Sequence, residues 1–231
     1  MKNSTSVTVN NIVCKTNDEI ANAVSLSYDL KNDDVVAYRA GTWFFHGLPL
    51  YINENVLVPR HDTEILVEEV LSKLKPLDTV LELCTGSGCI SAVLENYAEV
   101  TAVDICEKAL SVACKNTKRT KIIQSNLFEK INQKFNIIVS NPPYIKTHEI
   151  GKYDKSILNE PQVALDGGSD GLDFYRKIIT QSPDYLSYGG YLFLEVGCKN
   201  QAQQVKTLLR ENNFHGITIV KDRVVYACKI D

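Results

Sequence analysis

From residue 79 onward, the short apolar runs TVLELC, EVTAVD, KIIQSN, FNIIVSN and YLFLEVG alternate with segments of helical period. Runs that are apolar on both faces, each followed by enough chain for a crossover helix, dictate a largely parallel sheet covered on both sides. Helices are expected over about 88–96, 107–116, 172–186 and 199–212. After the last of these, GITIV and VVYACKI are separated only by Lys221, Asp222 and Arg223. Three residues cannot form a crossover, so the final two strands must pair antiparallel. The expected fold is α/β: a Rossmann-like, seven-stranded, mostly parallel sheet with an antiparallel C-terminal hairpin and helices on both faces.

At 231 residues and 44% hydrophobic, the chain buries one core of this size with a small appendage. A net charge of −3 gives no electrostatic footprint for tracking a phosphate backbone, so no nucleic-acid partner is expected. The basic residues Lys115, Lys118, Arg119 and Lys121 read as a solvated helix end. Seven cysteines, an odd number without a C-x-x-C pair, point to a reducing compartment. The opening MKNSTSVTVNNIV lacks a signal-peptide core, and no apolar stretch approaches the roughly 20 residues of a membrane span. A cytoplasmic protein without a membrane partner is expected.

Ahead of the sheet, Thr16 and Glu19 form a capping box before Ile20, Val24 and Tyr28, predicting a short helix. The aromatic and β-branched stretch WFFHGLPLYINENVLVPR predicts a hairpin turning at Asn53, Glu54 and Asn55. Asp62 or Thr63 then caps a helix running to about 75. The organisation is a helical segment over 1–34, a hairpin linker over 35–60 and the main domain over 61–231.

CTGSGCI, directly after the first strand of the regular region, is a glycine turn opening a helix, where backbone amides approach a ligand closely. It supplies Cys84, Thr85, Gly86, Ser87 and Gly88. Ser91 stands where a dinucleotide fingerprint would carry its third glycine, and by itself the motif is a weak signal, the alternative being a tight turn with no ligand. Asp104 ends the next strand 18 residues beyond Gly86, the place where a carboxylate accepts the two hydroxyls of a ribose. Two independent positions therefore agree on a ribose-bearing cofactor. Glu82 either sits beside that cofactor's polar tail or caps nearby loop amides. Asn126 and Leu127, after the third strand, either read and pack on an adenine or form a turn over the core.

The fourth strand delivers Asn141, Pro142, Pro143 and Tyr144 to the same sheet edge. Prolines end the strand and stiffen the segment beyond it. With S-adenosylmethionine as the donor, this segment suits a planar NH₂ acceptor, a poor nucleophile. The Asn141 side-chain oxygen and the Pro142 carbonyl would hold its two N–H groups and favour the partly positive, tetrahedral nitrogen. Tyr144 offers a flat face for stacking. Methyl transfer to nitrogen needs no prior deprotonation, which fits the scattered His46, His61, His148 and His215. No metal is expected.

With these residues in view, the chain resembles the release-factor glutamine N5-methyltransferases (HemK/PrmC type) among the class I S-adenosylmethionine-dependent methyltransferases. The likeness runs from about 35 to 229 through VAYRAGTWFFHGLPLYINENVLVPRHDTEILVE, VLELCTGSGCI, AVD, SNLF, IVSNPPYI, NEPQVALDGGSDGLDFYRKII, GGYLFLEVG and DRVVYACK. It implies an S-adenosylmethionine site from Cys84 to Gly88 with Asp104, Leu127 and Asn141, releasing S-adenosylhomocysteine. It further implies a glutamine side chain of a peptide chain release factor, held by Asn141 to Tyr144. The Arg60 segment and the loop over 160–171 would border the substrate entrance; alternatively Arg60 only pairs with a carboxylate and the Asp-Gly pairs are turns.

His61 and Asp62 replace the proline and glutamate of PRPETE, and Asn126 stands where aspartate is common. About 34 residues precede the likeness, against a helical domain of roughly twice that length in the family. The protein substrate is thus more open than the chemistry. An N-methyltransferase for a small-molecule amide or another protein is the alternative. NPPY also resembles DNA adenine N6-methyltransferases, without support from charge, and a catalytically silent cofactor-binding fold would need a closed cleft beside Asn141.

Overall fold

The computed structural model describes residues 7–9, 12–14, 33–153 and 159–230. Strands β1 (Val7–Val9) and β2 (Ile12–Cys14) pair antiparallel. The helix expected after Thr16 lies outside the described residues. Next come α1 (Asp33–Ala40), the hairpin β3 (Thr42–Phe45) and β4 (Leu48–Tyr51), and α2 (His61–Lys73). The main domain adds β5 (Thr79–Leu83), α3 (Cys89–Leu94), β6 (Glu99–Asp104), α4 (Glu107–Asn116), β7 (Lys121–Gln124) and β8 (Phe135–Ser140). A 3₁₀ turn (Thr147–Lys152), α5 (Gln162–Leu165), α6 (Asp173–Tyr185), β9 (Leu186–Glu195), α7 (Lys199–Glu211), β10 (His215–Val220) and β11 (Val224–Cys228) complete it.

The seven-stranded sheet runs β10-β11-β9-β8-β5-β6-β7. β9, β8, β5, β6 and β7 are mutually parallel, and β11 joins β9 and β10 antiparallel, as the three-residue link requires. The chain leaves β5 towards β6 on one side and returns to β8 on the other. The switch point therefore lies between the carboxyl ends of β5 and β8, where open α/β sheets bind ligands.

Alternation along the strands divides the core into two layers. Leu81, Leu83, Ile138, Leu192 and Leu194 face α6 and α7, whereas Val80, Ile137, Val139 and Phe193 face α2 and α3. The hairpin brings Trp43, Ile52 and Val58 onto Ala109 and Val112 of α4, and the Trp43 indole donates to the Pro59 carbonyl at 2.9 Å. That contact fixes where the linker hands over to α2.

Three expectations are corrected. The hairpin turns at His46 and Gly47, not at Asn53 to Asn55: both have positive φ (48° and 76°), the geometry whose twist matches paired strands. Asn53 instead makes a separate turn, accepting the Asn55 amide on its side-chain oxygen at 3.0 Å. Residues 33–40, expected at the edge of the linker, are helical. Burial of Ala37 and a 2.6 Å bond from the Tyr38 hydroxyl to the Val56 carbonyl hold that helix where its weak periodicity does not. Finally, α2 starts at His61 after Arg60, without a side-chain cap. Asp62 and Thr63 are used elsewhere.

Candidate active site

A cleft of ≈ 370 Å³ opens at the switch point. Glu82, Cys84, Thr85, Gly86, Ser87, Asp104, Asn126, Leu127, Asn141 and Pro143 line it, so residues from the ends of β5, β6, β7 and β8 meet in one place. Gly88, Pro142 and Tyr144 are not among the lining residues, though Pro142 lies between two that are, Asn141 and Pro143.

Register explains the convergence. Glu82 pairs across the sheet with Ala102 and Val139, and Val139 pairs with Phe193. Asp104, Asn141 and Glu195 each lie two residues beyond one of those partners. Because side chains alternate with period two, all three share the face of Glu82 at the carboxyl edge.

On the cofactor side, the backbone is bent sharply around open space. Gly86 has φ 53° and a side chain there would meet no atom within 4 Å. Cys84 (φ 58°) and Leu127 (φ 48°) occupy the left-handed region without being glycine, at a cost of about 1–3 kcal/mol each. Such strain gathers at ligand clamps. Gly88 serves packing instead, since its Cα lies so close to α4 that a Cβ would come within 3.0 Å of Ala113.

Asp104 accepts the Gly86 amide on Oδ2 and the Cys106 amide on Oδ1, each at 2.9 Å. Burial pushes its pKa up, opposed by those amides. The Ile105 amide adds to them, and a carboxylate's roughly four acceptor sites still leave room for a further donor. Glu82 caps α3: its Oε2 accepts the Ser91 amide at 3.0 Å and the Ser91 hydroxyl more closely. Ser91, in the place of a third glycine, is therefore the partner of a buried carboxyl. Burial pushes Glu82 up to about 7. The Thr85 hydroxyl is sealed from solvent and lies against the Glu82 carboxyl, whose charged form it favours. The Asn126 amide donates to Glu129 at 2.7 Å and stays exposed.

On the acceptor side, Asn141 Nδ2 donates to Thr63 Oγ1 at 3.3 Å, which turns that amide nitrogen towards α2. Tyr144 does not present a face to the cleft. Its ring edge lies over Gly197, where a Cβ would come within 2.8 Å of two ring carbons, and burial pushes its hydroxyl pKa well up. Gly167 and Gly171 close on the Tyr144 backbone, where a Cβ would approach to 2.7 Å and 2.6 Å respectively. The Asp-Gly turns thus serve as more than turns: they let the 165–171 loop dock on the segment after Pro143. The Ile145 amide bonds the Leu165 carbonyl, the Gly167 amide bonds the Ile145 carbonyl, and Gln201 Nε2 ties the Tyr144 and Gly171 carbonyls together at 3.0 Å.

Arg60 pairs with the buried Glu160 carboxylate at 2.8 Å, and Glu160 also accepts the Val58 amide at 2.9 Å. The two segments expected at the substrate entrance are thereby joined to each other. Sequence reasoning does not single out Thr63, Gln201, Gly197 or Glu195. Glu195 has a signal: like Glu82, it is the one carboxylate of its strand, at or next to the carboxyl end after a run of apolar residues. Among the described residues there is no group of three or more potential metal ligands, and no helix long and apolar enough to cross a membrane.

Residues 61–169 match the family model described as Methyltransferase small domain. A release factor glutamine methyltransferase of Fusobacterium nucleatum is 42% identical over 210 residues, covering 83% of this chain and 59% of that protein. One of Thermodesulfovibrio yellowstonii is 39% identical over 199 residues, covering 80% and 71%. The chain therefore spans about three fifths of the length of the first relative. Among solved structures, a T. thermophilus 16S rRNA N2 G1207 methyltransferase in complex with AdoMet and guanosine superposes with TM-score 0.61 at 20% identity, covering 81% of this chain and 49% of that one, a likeness of fold. At this identity and coverage to the second relative, with the glycine turn, Asp104 and the Asn-Pro-Pro-Tyr segment meeting at one sheet edge, the chain belongs to the release factor glutamine methyltransferase family.

Proposed function

We propose that this protein moves a methyl group from S-adenosylmethionine to the side-chain nitrogen of a glutamine in a peptide chain release factor. The observation that carries the reading is the orientation of Asn141. Its Nδ2 is engaged by Thr63 at 3.3 Å, so its Oδ1 is left to accept an incoming N–H in the cleft that also holds Asp104.

The residues present fit the donor. The space over Gly86 and the Asp104 carboxylate at the mouth of the cleft are the complement of a hydroxylated, polar ligand. Asp104 would accept the ribose hydroxyls, with Asn126 and Leu127 beside the adenine and Glu82, Thr85 and Ser87 near the polar tail. S-adenosylmethionine supplies, when bound, a methyl group activated by its sulfonium.

The chain's own contribution is to hold the acceptor. Asn141 Oδ1 and the Pro142 carbonyl take the two N–H groups of the glutamine amide, drawing positive charge towards them as nitrogen gains its fourth bond. Preorganised acceptors of this kind are worth about 3–4 kcal/mol apiece. Fixed proline φ angles keep the Pro142 carbonyl in place. Tyr144, pinned by Gly167, Gly171 and Gly197, holds the loop rigid from behind rather than stacking on the acceptor. No base is needed beforehand, because the nitrogen becomes acidic only once alkylated.

The test is incubation of the protein with isotope-labelled S-adenosylmethionine and a purified release factor, with peptide mass spectrometry of the product. A single labelled methyl on a glutamine is expected. A release factor that stays unlabelled while another class of molecule takes up the methyl would refute the substrate assignment.

A further inference from the structure

Glu195 ends β9 and is only 1% exposed, and its Oε2 is sealed from solvent without a hydrogen-bond partner. It is not among the residues that line the cleft. The donors that face it are the Thr63 and Asn141 side chains, which act to stabilise its charged form against burial. An ionised carboxylate has no proton to give and only accepts. The β8–β9 register sets Glu195 beside Asn141 on one face of the sheet, and a Thr63 hydroxyl that gives its proton to Glu195 keeps its oxygen lone pairs for the Asn141 N–H seen at 3.3 Å.

We propose that Glu195, acting through Thr63, is a positioning residue that fixes the Asn141 carboxamide with nitrogen inward and Oδ1 towards the acceptor. The consequence for methyl transfer rests on the function proposed above; the fixed amide does not. A protonated Glu195 carries an O–H that can donate, so the direction of the bonds is no longer dictated and the amide loses its preference.

Burial pushes Glu195 up to about 7, which puts this change in an accessible range. Tyr144 from the loop after β8, Tyr175 from α6, whose hydroxyl bonds the Glu195 carbonyl at 2.7 Å, and Cys89 from α3 are all pushed further up from their ordinary values and stay neutral. Asp62 from α2 and Arg223 beside β11 pair with each other at 3.1 Å.

The experiment tracks the Asn141 Nδ2H₂ resonances by ¹⁵N NMR between pH 5 and pH 9, assigned by their loss in Asn141→Ser, and in parallel measures kcat on a release factor at saturating S-adenosylmethionine. In the unaltered protein the amide signals are expected to titrate with a midpoint near Glu195's value of about 7. In Glu195→Gln they should not titrate, and kcat should fall about 10–100-fold, the size of effect typical of groups that orient a reacting side chain, with cofactor affinity unchanged. Thr63→Val should behave like Glu195→Gln and Thr63→Ser like the unaltered protein; this pair decides the matter if Glu195→Gln does not fold.

Asn141 signals that titrate equally with and without Glu195, or a Thr63→Val protein with unaltered signals, overturn the inference. A titrating amide in a protein that methylates no glutamine would keep the positioning and sink the proposed function. An active enzyme whose amide ignores Glu195 would do the reverse.

Discussion

The two halves of the cleft are built on different principles. The cofactor half is local: one turn after β5 and the tip of the adjacent β6, with Asp104 clasping Gly86 through a backbone amide and strain held at Cys84 and Leu127. The acceptor half is assembled from afar. Asn141 leans on Thr63, and the loop behind it is held by Gly167, Gly171, Gly197 and Gln201, while Glu160 locks Arg60 across 100 residues. A donor common to many reactions needs only a turn and a carboxylate; holding one particular amide takes a rigid wall gathered from the whole chain.

If the halves are separable, replacing Asn141 by alanine should stop transfer while sparing the donor. The loss expected is about 3–4 kcal/mol of transition-state stabilisation, or roughly three orders of magnitude in kcat. Calorimetric titration with S-adenosylmethionine should give an affinity within about threefold of the unaltered protein. A comparable loss of affinity would show that the two halves are one.

Each half also buries one glutamate, Glu82 or Glu195, pushed from 4.5 to about 7. The sign comes from proton counting. Between those values the folded protein holds a proton that the unfolded chain has released, so stability is greatest below pH 4.5 and falls as pH rises through 7. For Glu82→Gln that fall should be missing, leaving the variant up to about 3 kcal/mol more stable relative to the unaltered protein at pH 8 than at pH 4. Urea unfolding at the two pH values measures it. An equal difference at both would mean that Glu82 titrates alike in the folded and unfolded protein.

Replacing Asp104 by alanine tests the cofactor half from the other direction. It removes a carboxylate that orders the Gly86 and Cys106 amides as well as the proposed ribose contacts. Charged hydrogen bonds of this kind are worth roughly 1.5–3 kcal/mol, so donor affinity should weaken about 10–100-fold while kcat at saturation stays near its original value. A fall in kcat with unchanged affinity would contradict the division of labour.

The same contrast governs how much can be read from the sequence. The parallel sheet, its antiparallel end, Asp104 and the Asn-Pro-Pro-Tyr segment are legible because each follows from periodicity or from spacing within one or two strands. Thr63 reads as a helix cap because its neighbours Asp62 and Glu64 make that role plausible locally; only the packing of α2 against β8 and β9 shows it facing Asn141 and Glu195. Likewise the hairpin turn goes to the more polar Asn53–Asn55 stretch, since nothing local reveals that Trp43 must reach Pro59 and so sets the register through His46 and Gly47. Tyr144 shows the same limit at the site itself: its neighbours along the chain suggest a stacking face, and the three glycines that close on its backbone and ring come from two distant segments.

The smallest effects should come from two glycines that separate the halves without touching Asn141. At Gly197 the backbone is close to an aromatic ring, so alanine forces Tyr144 or the strand end to move at a cost of about 1–3 kcal/mol in stability. At Gly86 an added methyl meets no protein atom, so alanine costs only the left-handed backbone, about 1–2 kcal/mol, but it occupies space that the proposed function gives to the donor. Gly197→Ala should therefore lower the unfolding midpoint and kcat while sparing donor affinity, and Gly86→Ala should weaken the donor at comparable stability. Thermal unfolding and donor titration on the pair measure both quantities. If the two variants weaken donor binding equally, the wall behind Tyr144 is holding the turn after β5 as well, and the cofactor half is less local than its sequence suggests.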